Sequence, residues 1–218
     1  MNTTDRSPLI PWLLIGLTLL TFGRVVNDSF APYDDESTIR DNPRLNPVRW
    51  NSEGLLWYWN NPSMSVYAPL TYTVWGVVAG ASRTHGQDPT KLFLDPGNFH
   101  VASLILHVAC VLLVYLILRR LLKRPWPAAA GALFYALHPL QVETVAWASG
   151  MKDLLSAAFS LATIWLYIRA VAPDPAPADP LATASDPDED IEPHIDLRFY
   201  ALAIVCFILA ILAKSSAM

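Results

Sequence analysis

The sequence predicts an all-α polytopic membrane protein of about five transmembrane helices with an added interfacial helix, and two observations carry that expectation. Apolar residues make up 53% of the chain and charged residues 16%, against roughly a quarter charged in ordinary soluble domains. The apolar residues are also clumped, into Leu9–Phe22, Val101–Leu118, Ala128–Leu137, Leu154–Ile168 and Phe199–Ala213. With polar-tolerant flanks, each run approaches the roughly 20 residues that cross a bilayer. Only a helix satisfies its own backbone within one such segment. Buried helices of a soluble bundle would carry a polar stripe, and these runs do not.

The first expected span, 8–26, resembles a secretory leader but lacks a basic start, since Asp5 offsets Arg6, and no small-residue cleavage site follows. It is read as a retained span. The others are expected at 100–120, 126–146, 153–171 and 198–218. Arg119, Arg120, Lys123 and Arg124 crowd the short turn between the second and third spans, which assigns that turn to the cytoplasm. Alternation then sends the long loop 27–99 outside, together with the turn around His138 to Lys152. The linker 172–197 returns inside.

Within the long loop, Asp41-Asn42-Pro43 and Asn46-Pro47 are turn chemistry. Trp50, Trp57, Tyr58 and Trp59 suit the headgroup boundary. Val66–Ala81 is apolar but short and interrupted by Pro69, which predicts a helix lying on the outer surface. The linker around Asp186, Asp188, Glu189, Asp190 and Glu192 has almost nothing to bury and is expected to be disordered. It lacks the glycine and ligand spacing of a calcium loop. Cys110 and Cys206 both fall inside apolar runs, so neither a disulfide framework nor a zinc site is expected. A net charge of −4 argues against a nucleic-acid partner.

The candidate chemistry lies at the outer surface. Asp34 and Asp35 follow the first span closely, where a lipid-linked substrate would present its phosphate and sugar. In an extended stretch Asp34 and Glu36 would share a side, with Asp35 pointing away. Inverting glycosyl transfer needs one carboxylate as base for the acceptor hydroxyl. It also needs a polar group or a divalent metal to hold the leaving phosphate, and Asp35 with Glu143 would be the metal's ligands. A solvated acidic turn is the plainer account of the pair. The second cluster runs from His138-Pro139 to Lys152-Asp153. Pro139 suits a helix start, from which Glu143, Trp147 and Met151 would share a face. Lys152 would meet a phosphate there, with His138 and His100 as further substrate-binding candidates, although such a lysine is commonly a snorkelling anchor. His107 shares a face with His100 and is expected to make an interhelical hydrogen bond.

Taken in order, Tyr33-Asp34-Asp35, Asp41-Asn42-Pro43, Tyr67-Ala68-Pro69-Leu70, Phe99 to His107, Leu133 to Pro139 and Lys152-Asp153-Leu154-Leu155 form a recognisable series. It resembles the membrane domain of the transmembrane and tetratricopeptide-repeat O-mannosyltransferases and their bacterial relatives, within the GT-C glycosyltransferases. The resemblance implies a polyprenyl-phosphate-linked sugar donor, an acceptor hydroxyl on the extracytoplasmic side, and an integral protein of a bacterial cytoplasmic membrane. Asp34 and Asp35 match the family's acidic pair. Met151 stands where relatives carry Arg, Lys214-Ser215 replaces a Lys-Glu pair, and no repeats follow. A C-terminal continuation or a partner subunit is therefore expected. The competing expectations are an inactive membrane scaffold that keeps the fold, and a small transporter. The transporter is disfavoured because the acids gather at one surface and not at the midplane.

Overall fold

The computed structural model describes residues 8–32, 34–45, 52–63, 66–85, 92–171 and 195–214. Its helices are α1 (Leu9–Phe22), α2 (Ser52–Asn60), α3 (Pro69–Ala81), α4 (Pro96–Leu122), α5 (Pro125–Ala136), α6 (Gln141–Ala146), α7 (Met151–Val171) and α8 (Leu197–Ala213). An antiparallel hairpin of β1 (Arg83–His85) and β2 (Leu92–Leu94) joins α3 to α4, with Thr84 opposite Phe93.

Among the described residues three helices are long and apolar enough to cross a membrane: Leu9–Asn27, which adds a tight 3₁₀ turn to α1, together with α4 and α7; α8 is apolar but shorter. The caps explain their ends. Asp95 accepts from the Gly97 N–H at 2.9 Å, and Pro96 stands where no intrahelical donor is needed. At its other end α4 stops on Lys123 in the left-handed conformation, φ 54°, with Arg119 and Arg120 against the helix's negative pole. Asp196 caps α8 in the same manner as Asp95, accepting from the Arg198 N–H.

The expected third span, 126–146, is not one helix. α5 is 12 residues long, about 18 Å of rise, which is too short to cross the core unaided. Pro139 lacks the N–H that would continue it, and the chain restarts as the six-residue α6. Because α6 ends at Ala146 and Trp147 is extended, the expected continuous helical face through Glu143, Trp147 and Met151 is also absent. The expected surface helix from Val66 begins later, at Pro69 in its first turn. Val66 instead forms a bridge with Ser63. Tyr33, Trp50, Asn46-Pro47 and the acidic linker lie outside the described residues.

Two cores form. At one end, Tyr58, Tyr72, Trp75, Phe99, Ala148, Met151 and Leu155 gather the loop helices onto α4 and α7. At the other, Ile10 and Leu14 of α1 and Val111 and Tyr115 of α4 pack on Ala128, Ala132 and Ala136 of α5. Those alanines recur every four residues, so one small-residue ridge lets α5 approach its neighbours closely. The aromatic end also gathers the α1 exit, the starts of α4 and α7 and the end of α8. Phe30 meets Phe99 at 5.6 Å, and the Thr71 hydroxyl donates to the Ala213 carbonyl at 2.7 Å. Arg119 to Arg124 occupy the opposite end.

Candidate functional site

The acidic pair opens a helical turn, not the expected extended stretch. Asp34 and Asp35 lead into a single π turn, Glu36–Arg40, closed by the Asp41 N–H on the Glu36 carbonyl at 2.8 Å. Successive helical side chains diverge by about 100°, so the two carboxylates face different surroundings. The Thr38 hydroxyl donates to the Asp34 carbonyl, leaving the Asp34 side chain exposed. Beyond it, the hydrogen bond from Arg40 holds the Asp41 carboxyl below its ordinary value.

Asp35 is fully buried. Its Oδ2 accepts from the Ala31 N–H at 2.9 Å and the Ala148 N–H at 3.1 Å; its Oδ1 accepts from the Ser149 N–H at 2.8 Å. The Ala148 and Ser149 donors are free because α6 has ended and α7 has not begun. An acceptor-only carboxylate matches them. The staple ties the first loop to the α6–α7 turn. Gly150 makes that turn possible: a Cβ there would lie 2.5 Å from the Thr144 carbonyl oxygen.

The staple brings Asp34 to a small open cleft lined by Asp34, Glu143, Thr144, Trp147, Ser149, Gly150, Lys152 and Asp153. Lys214, at the end of α8, forms an ion pair with Asp153. Three of the sequence candidates, Asp34, Glu143 and Lys152, are thus neighbours, and Asp35 lies beneath them. A hydroxyl entering the cleft would meet a carboxylate from the loop, a carboxylate from α6 and an ammonium from α7.

The two histidine candidates are elsewhere. His100 is buried on α4, and neither ring nitrogen has a partner among the described residues. His138 stands at the break between α5 and α6, where its Nδ1 accepts from the Leu140 N–H at 3.3 Å and its ring meets Phe134. Neither lines the cleft. His107 makes the expected interhelical bond, from Nε2 to the Ala136 carbonyl at 3.1 Å. Both Asp35 oxygens face backbone N–H donors, and no group of three or more His, Cys, Asp or Glu placed to hold an ion occurs among the described residues. Sequence reasoning passed over Thr144, Ser149 and Asp153 as lining residues. The available signal was the small Ser149-Gly150 pair just before the α7 pattern.

Parts of the chain are similar to known proteins. Residues 92–178 match the family model described as dolichyl-phosphate-mannose-protein mannosyltransferase. Human protein O-mannosyl-transferase TMTC3 is 26% identical over 172 residues, covering 74% of this chain and 17% of that protein. Human protein O-mannosyl-transferase TMTC1 is 28% identical over 173 residues, covering 73% of this chain and 18% of its own length. For human protein O-mannosyl-transferase TMTC4 the identity is 28% over 180 residues, with 72% of this chain and 23% of the relative covered. The chain therefore spans under a quarter of the length of these relatives. No solved structure matches it. Residues 92–178 are thus similar to the dolichyl-phosphate-mannose-protein mannosyltransferase family, and over most of its length the chain is distantly similar to the protein O-mannosyl-transferases.

Proposed function

We propose that this chain forms the transfer cleft of a glycosyltransferase that moves a sugar from a polyprenyl-phosphate donor to a hydroxyl acceptor outside the membrane. The matched family's description suggests mannose as the sugar and protein as the acceptor. One observation carries the reading: Asp34, Glu143 and Lys152, from three separate segments, line one cleft beside a buried carboxylate staple. In this mechanism the Asp34 carboxylate takes the proton of the acceptor hydroxyl as its oxygen attacks the sugar C1. The C1–oxygen bond to phosphate breaks, and polyprenyl phosphate leaves with the electron pair. Lys152 meets the phosphate charge, and Glu143 accepts from sugar hydroxyls. Asp35 positions the Ala148–Ser149 turn and takes no part in proton transfer.

The topology follows the charge. The arginine-rich end of α4 is cytoplasmic in this reading and the cleft faces outward, in a bacterial cytoplasmic membrane. α5 and α6 cross together, with about 27 Å of combined rise against a hydrocarbon core of about 30 Å. α8 supplies the fifth crossing. The exposed apolar faces of α5 and α8, around Phe134, Val205 and Phe207, are where further helices would pack, from a continuation of the chain or from a partner subunit.

The test is sugar transfer from polyprenyl-phosphate mannose to a serine- or threonine-containing peptide, in membranes carrying wild type or Asp34→Asn. Loss of a positioned base costs roughly 10²- to 10⁴-fold, so kcat should fall by that amount with donor binding retained. Equal transfer by the two proteins would remove Asp34 from the chemistry and leave the scaffold reading.

A further inference from the structure

Among the helical hydrogen bonds lost at the break between α5 and α6, one has both of its ends recapped. In a continuous helix the Ala136 carbonyl would accept from the Leu140 N–H, four residues on. Here α5 ends at Ala136, and Pro139 cannot continue it. Both orphaned groups are nevertheless satisfied. The Ala136 carbonyl accepts from His107 Nε2 on α4 at 3.1 Å, and the Leu140 N–H donates to His138 Nδ1 at 3.3 Å. His107 sits roughly 16 Å along α4 from the end that carries the cleft, at 1.5 Å per residue. At that level the His107–Ala136 bond is buried, while Leu140 and its bond to His138 lie on the exposed face of the bundle; on a face turned to lipid a freed backbone group must still find its partner within the protein.

The surroundings of His107 fix its chemistry. The residue is buried, with the Phe22 ring of α1 edge-on at 5.2 Å and the Tyr135 ring of α5 at 6.0 Å. A carbonyl only accepts, so Nε2 carries the hydrogen. His138 must present an unprotonated Nδ1 to the Leu140 N–H. Two histidines in opposite hydrogen-bonding roles thus cap the two halves of one missing bond.

We propose that His107 and His138 are positioning residues that hold this crossing bent, so that α6 presents Glu143 to the cleft. The link is short: Gln141 and Val142 continue the turn from the His138 and Pro139 carbonyls at 2.9 and 3.1 Å, and Glu143 follows. Val145, two residues on, is fully buried with Phe22 and Leu104. Released from its caps, the α6 start would be free to rotate and carry Glu143 away from Asp34. The proposal rests on the transferase reading of the cleft for its effect on turnover, but not for its effect on the backbone.

The experiment compares His107→Leu and His138→Leu with His107→Gln and His138→Asn in the full chain. Glutamine keeps a donor near the Nε2 position, and asparagine keeps an acceptor near Nδ1. Amide hydrogen exchange over residues 140–147 should quicken roughly tenfold in each leucine variant and return to near the wild-type rate in its polar counterpart, as expected for loss and recovery of one hydrogen bond. Transfer from polyprenyl-phosphate mannose should follow the same pattern. In a Glu143→Gln background, His107→Leu should add no further loss, because positions acting through one group are non-additive. Unchanged exchange in both leucine variants would overturn the capping role, whatever transfer does. Faster exchange with transfer unaffected, or a full extra loss in the Glu143→Gln background, would overturn the link to Glu143. If wild type transfers no sugar at all, the transferase reading falls while exchange still decides the caps.

Discussion

Asp34 and Asp35 are adjacent in sequence and opposite in circumstance. One is exposed in a cleft; the other is sealed beneath it with three backbone N–H groups on its oxygens. Their amides should therefore fail differently. Asp35→Asn replaces one acceptor oxygen by an NH₂ group aimed at N–H donors. Hydrogen bonds to a charged partner contribute about 1.5–3 kcal/mol, so a loss of about 2–3 kcal/mol is expected, read as a lower melting temperature in detergent. Asp34→Asn should leave that temperature unchanged. If the two variants melt alike, the staple is wrong. A second residue-scale expectation concerns Tyr58, whose hydroxyl donates to Asn42 Oδ1 at 3.0 Å and whose ring stacks on Tyr72 at 4.0 Å. Burial pushes its pKa from an ordinary 10 up to about 12. Between those values the folded chain keeps a proton that the unfolded chain has lost. Tyr58 therefore contributes stability below pH 10 that disappears as pH rises toward 12. Tyr58→Phe should flatten the alkaline limb of a stability-against-pH curve, and an unchanged limb would contradict the assignment.

At the scale of elements, legibility followed locality. α1, α4, α7 and α8 were readable because sustained apolar composition alone specifies them. The α5–α6 break was not, since Ala128–Leu137 and the residues after Pro139 look like one tolerant span until the partner of the Ala136 carbonyl is known. That partner, His107, lies on another helix. The same holds for the site. Asp34, Glu143 and Lys152 could be brought together by counting crossings, whereas the burial of Asp35 depends on two N–H groups more than a hundred residues away. The hairpin β1–β2 depends on pairing that no local pattern announces. At Gly150 the backbone passes so close to Thr144 of α6 that an added Cβ would lie 2.5 Å from its carbonyl oxygen. Gly150→Ala puts a methyl group against backbone, which cannot swing aside as a side-chain tip can. Overpacking of this kind costs about 1–3 kcal/mol. It should also part the Ala148–Ser149 amides from Asp35, so transfer and melting temperature should fall together. A variant that kept both would show the turn to be loose.

The whole molecule is polarised from end to end. Asp34, Glu143, Lys152 and the Lys214–Asp153 pair gather where α4 and α7 begin and α8 ends. At the far end stand Arg119, Arg120, Lys123 and Arg124. Arg169 joins them across the α7–α8 junction, its guanidinium 4.6 Å from the Phe199 ring and 5.2 Å from that of Trp165, and the Asp196 N–H closes on the Ala170 carbonyl at 3.0 Å. An arginine held over aromatic rings near a helix end is the arrangement of a side chain reaching for the interface. Short turns rich in Lys and Arg stay cytoplasmic, while a long loop crosses largely regardless of its charge. In the proposed reading the arginines therefore lie inside and the cleft outside. The discontinuous α5–α6 crossing preserves that parity, because Asp35 bonds Ala148 and Ser149 and so returns the chain to the side of the first loop. In a background with Cys110 and Cys206 replaced by alanine, a cysteine introduced by Ser37→Cys should react with an impermeant maleimide added to intact cells. One introduced by Leu121→Cys should react only after the membrane is opened. Labelling of the Leu121 position from outside, with Ser37 protected, would invert the molecule and place the cleft where no extracytoplasmic acceptor could reach it.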